Sequence, residues 1–80
     1  MSDHQDTHHF TYDRSWNEIE IMLDRAERLK NTHETKFLQL KGNRNRKELL
    51  HHARNMKALE GVIKTLRWTL GDKEISHPLD

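Results

Sequence analysis

The chain has 80 residues, 32% of them apolar and 34% charged, with a net charge of +1 and no cysteine. That is one small domain with a thin core, and it excludes both a disulfide scaffold and a thiolate metal centre. The longest apolar run, Ile21-Met22-Leu23, is far short of the roughly 20 residues a membrane span needs. The start, with Asp3, His4, Asp6, His8 and His9, has no apolar stretch of a secretory signal. No membrane partner and a cytoplasmic location are therefore the expectations.

Residues 1–12 are polar and His-rich and read as a flexible arm. Helix 1 is predicted over about 15–41. Ser15 caps it, and Glu18 three residues on completes a capping box. An apolar stripe follows at three- and four-residue steps: Trp16, Ile19, Leu23, Ala26, Lys30, His33, Phe37 and Leu40, with Leu29 beside it. Gly42 supplies a stop. Helix 2 is predicted over about 46–70, with Asn45 as cap and Glu48 three residues later. Its stripe is Leu49, His52, Met56, Leu59, Ile63, Leu66 and Leu70, and Gly71 ends it. The tail 72–80 contains Pro78, lacks periodicity and reads as flexible.

The phase of the stripes places a turn at 42–45. Extending the first stripe past Leu40 lands on Arg44, Lys47, His51 and Arg54, which do not suit a buried seam. The second stripe starts at Leu49, five residues beyond Arg44, so in one straight helix the two apolar faces would diverge by roughly 140°. Folding back removes the conflict. Facing positions then sum to about 86, and Phe37 meets Leu49, His33 meets His52, Leu23 meets Ile63 and Trp16 meets Leu70. The predicted fold is all-α, an antiparallel, coiled-coil-like two-helix hairpin spanning 13–71. Two helices of about 25 residues are each roughly 40 Å long and bury little between them. Association of hairpins into an oligomeric helical bundle, most simply a four-helix bundle, is expected, with Trp16, Ile19, Leu23, Ala26, Leu29, Phe37, Leu40, Leu49, Met56, Leu59, Ile63, Leu66 and Leu70 as the seam.

Other residues carry candidate chemistry. Ala58, Gly61, Thr65 and Trp68 recur on another face of helix 2, and a row of small residues beside a tryptophan suits a second interface. Glycine within a helix is costly, which makes Gly61 the informative member. Lys41, Arg44, Arg46, Lys47, Arg54 and Lys57 cluster around the turn against Glu48 alone and suit phosphates, without the interleaved aromatics that stack bases. No cofactor is expected. Were zinc or nickel bound, His33, His52 and Glu48 are the ligands the register brings together.

No phosphate loop, nucleophile elbow or cysteine nucleophile is present, so a non-enzymatic role is expected. The chain reads as a small interaction protein that self-associates and docks or inhibits a macromolecular protein partner, in the manner of short, charged phage or mobile-element accessory proteins. A nucleic-acid-binding regulator using the basic tip is the alternative, and an oligomer that sequesters a small ligand or metal is a second.

Overall fold

A computed structural model describes residues 13–42 and 45–80. The expected arm and the turn residues Asn43 and Arg44 lie outside these. Two helices, α1 (Trp16–Leu40) and α2 (Arg46–Thr69), pack side by side. Cross-helix pairs run Glu27–Arg67, Lys30–Glu60 and His33–His52, so rising numbers on α1 meet falling numbers on α2. The chain is an antiparallel helical hairpin.

The ends of the helices follow from local chemistry. The Glu18 N–H donates to Ser15 Oγ at 3.1 Å, and the Ser15 N–H donates back to Glu18 Oε1 at 3.0 Å. Two N–H groups that the helix itself leaves unpaired are thereby satisfied. The second cap is simpler: the Glu48 N–H donates to Asn45 Oδ1 at 3.2 Å. At the far end of α2 the Asp72 N–H donates to the Arg67 carbonyl at 2.9 Å and the Gly71 N–H to the Trp68 carbonyl at 3.0 Å. This Schellman pairing needs a left-handed residue, and Gly71 supplies it at φ +88°. The end of α1 differs: its cap Lys41 is extended at φ −62°, ψ 128°, and Gly42 follows in the left-handed region at φ +94°. Beyond Gly71 the tail forms turns. The Ile75 N–H donates to the Asp72 carbonyl at 3.1 Å, and Ile75 and Pro78 are half-buried.

The seam assembles along both helices, but it is thin. Ile19, Leu23, Phe37 and Leu40 on α1, and Leu49, Met56, Leu59, Ile63, Leu66 and Leu70 on α2 or at its cap, are half-buried. Among the described residues only Ala26 is buried, at 6% exposure. Trp16 opens α1 about 60° round the helix from Ile19 and remains 64% exposed.

The two sides of the seam differ. On one, Arg67 pairs with Glu27 and approaches Asp72, while Lys30 Nζ lies 3.8 Å from Glu60. Lys30, although within the seam stripe, directs its ammonium outward to that pair. Met22 and Leu29 lie on the opposite side of α1 from Glu27, given about 100° per residue. There a groove lined by Ile19, Met22 and Leu66 continues into one lined by Met22, Ala26, Leu29, Leu59 and Val62. Neither cross-helix ion pair among the described residues spans that groove.

Candidate functional site

Near the turn the predicted register brings His33 against His52, with the two Nδ1 atoms 2.9 Å apart. That is a hydrogen bond in which one ring carries the proton on Nδ1 and the other presents a bare nitrogen. His51, one residue before His52, adds a third ring. The centroid separations are 5.9 Å from His33 to His51, 5.2 Å from His33 to His52 and 5.1 Å from His51 to His52. One ligand nitrogen from each ring lies within 4.8 Å of the other two, which makes this a metal-binding-like cluster of three histidines.

The ligand set differs from the expected one. Glu48 lies outside the cluster, and His51 takes its place. The physical reason is position. Glu48 sits in the first turn of α2, where a carboxylate suits the helix dipole and the backbone N–H is held by Asn45. Asn55 lies beside His51: its Nδ2 donates to the His51 backbone carbonyl at 2.8 Å and stands 3.5 Å from the ring Nδ1. Burial, followed by the neighbouring charges of His52, His51 and Lys36, holds His33 below the ordinary histidine value of 6.5. Its neutral form, the one that presents a nitrogen lone pair, is therefore favoured.

The second face of α2 is open. Ala58, Gly61, Thr65 and Trp68 are all exposed, Trp68 at 49%. A Cβ added at Gly61 would meet nothing within 4 Å. Nothing among the described residues thus requires glycine there. Thr65 turns its hydroxyl back to donate to the Gly61 carbonyl at 2.9 Å.

The basic residues Lys41, Arg46, Lys47 and Arg54 are exposed and form no ion pair among the described residues. Lys57 differs, its Nζ lying 3.9 Å from Glu60, and Arg44 lies outside the described residues. No described helix is long and apolar enough to cross a membrane.

Two features escaped sequence reasoning. Glu27 and Arg67 lie off the predicted seam, and only long side chains let them meet across it. His51 lies off the seam stripe, about 100° round α2 from His52, yet its ring reaches the facing pair. The pair of consecutive histidines opposite His33 is the signal that was available. Comparisons of this chain with protein-family models, with curated proteins and with solved structures found no match.

Proposed function

We propose that this hairpin is a small, non-enzymatic interaction module whose open apolar face is covered by a second copy of the chain. The observation that carries the reading is the contrast between two long helices and a single buried side chain among the described residues, Ala26. Domains of this size need association or a staple to supplement so small a core. Met22, Leu29 and Val62 lie half-exposed along the groove, with Leu29 at 50% and Val62 at 44%. The face has the area of a dimer interface. Helices of 24 and 25 residues are about 36 Å long and together about 20 Å wide, a footprint of roughly 700 Å². A stable pair of proteins buries about 800 Å² per partner. On its rim Arg14 pairs with Glu18 and Arg28 with Asp24 within the chain, which leaves Arg25 as the rim charge that a copy related by a two-fold axis has to offset from its own rim.

Sedimentation equilibrium tests this directly. A dimer at micromolar concentration is expected, and a folded monomer across the accessible range overturns the reading. Phage or mobile-element accessory proteins are a context that suits such a module, with docking to or inhibition of a larger protein as the role of the assembled bundle. Trp68 and Gly61 on the other face are the surface for that partner.

A second reading has one observation in its favour: Lys41, Arg46, Lys47 and Arg54 are exposed and form no ion pair among the described residues. A regulator that grips nucleic-acid phosphates would use them, and its binding would weaken steeply with salt. Salt-insensitive retention of a protein, undisturbed by nuclease, discriminates against it.

A further inference from the structure

We infer that His33, His51 and His52 form a site for a divalent transition metal, zinc foremost, that clamps α1 to α2 beside the turn. The inference is independent of self-association, because all three ligands belong to one chain.

Geometry carries it. A zinc ion bound by imidazole nitrogens at about 2.0–2.1 Å in a tetrahedron holds those nitrogens roughly 3.3–3.4 Å apart. The His33 and His52 Nδ1 atoms stand at 2.9 Å, so they need to open by only about half an ångström. One ligand nitrogen from each of the three rings lies within 4.8 Å of the other two. The three rings come from both helices: His33 from α1, His51 and His52 from α2. A metal held by them therefore links the two arms of the hairpin, as binding by a flexible segment would not.

The ligand chemistry names the class of ion. Three neutral imidazoles without thiolate or carboxylate suit zinc, nickel or copper and disfavour calcium or magnesium, which take oxygen ligands. Three protein ligands leave a fourth position for water. His33 and His52 interrupt the two apolar stripes at facing positions, so a link there joins the helices where the stripes are polar.

The test must separate this site from His4, His8 and His9, which can bind zinc on their own. The full chain is melted by circular dichroism in chelator and then in zinc at about 100-fold above the dissociation constant. Binding to the folded state alone raises the melting midpoint by at least about 10 °C for a chain of this size. The variant His4→Gln/His8→Gln/His9→Gln is expected to keep that rise. His33→Gln and His51→Gln are expected to lose it and to weaken zinc binding tenfold or more. Cobalt(II) supplies a second readout that does not depend on stability: the intense visible bands of a tetrahedral site appear in the arm variant and vanish in His33→Gln. A rise that survives His33→Gln, a rise lost with the arm histidines, or cobalt spectra of six-coordinate type would each overturn the inference.

Discussion

Leu29→Gln combined with Val62→Gln tests the open face most sharply. Both side chains line the same groove and are half-exposed in the single chain. Burying a leucine or valine fully contributes about 1.5–3 kcal/mol, so covering the uncovered half of each contributes about 1 kcal/mol. Two residues on each of two copies make about 4 kcal/mol of dimerisation free energy. The double variant should therefore weaken the dimer by roughly three orders of magnitude. Glutamine is a strong helix former and keeps an aliphatic stem, so the hairpin itself is expected to stay helical. Sedimentation velocity over a concentration series measures the shift, with circular dichroism at each concentration as the check on folding. An unchanged dimer constant would mean that copies meet elsewhere. A monomeric parent chain would refute the reasoning at its root, because the thin core would then suffice alone.

Three further outcomes follow from the backbone and its caps. Gly61→Ala should stabilise the chain by about 0.5–1 kcal/mol in thermal melts, because its Cβ meets open space; a loss of stability would show that another backbone packs there. Gly42→Ala should cost about 1–2 kcal/mol in the same assay, since φ +94° places a Cβ against the neighbouring carbonyl, and no loss would mean that the chain leaves α1 by another path. Glu18 gives a pH signature. The Ser15 backbone N–H, then its hydroxyl, hold the Glu18 carboxyl below its ordinary 4.5. A depressed carboxylate stabilises the fold fully above the unfolded value and loses that contribution as the pH falls through the folded one. Parent and Glu18→Gln should therefore differ most above pH 4.5 and converge below it, and parallel melting curves down to strong acid would dismiss the capping account.

How far the chain can be read depends on the range over which each residue acts. Ser15, Glu18, Asn45 and Gly71 act within one turn of helix, and their pattern marks the limits of α1 and α2. Gly42 combined with the phase jump to Leu49 locates the turn, and the facing register puts His33 on His52. Less legible are contacts that depend on side-chain reach or on a third body. Glu27 and Arg67 meet because both are long, and no periodicity records length. Glu48 looked like a ligand by spacing from His52, but a ligand must converge in three dimensions, and His51 converges better.

The apolar surface of α1 explains why the molecule has one closed side and one open side. At about 100° per residue, the arc from Leu29 through Ala26 to Trp16 spans roughly 140°. One antiparallel neighbour covers a stripe of about 100°. The surplus has to appear at an edge. On the side of Glu27, ion pairs to Arg67 and from Lys30 to Glu60 roof the seam with charge. On the side of Met22 and Leu29 no cross-helix ion pair among the described residues does so, and Val62 extends the same exposed strip on α2. His51 lies within about 20° of Val62 around α2, so the three-histidine cluster sits at the turn end of the open side. A second copy on that face and a metal at the cluster would be neighbours, each compensating a different weakness: the first the uncovered apolar strip, the second the polar interruption at His33 and His52.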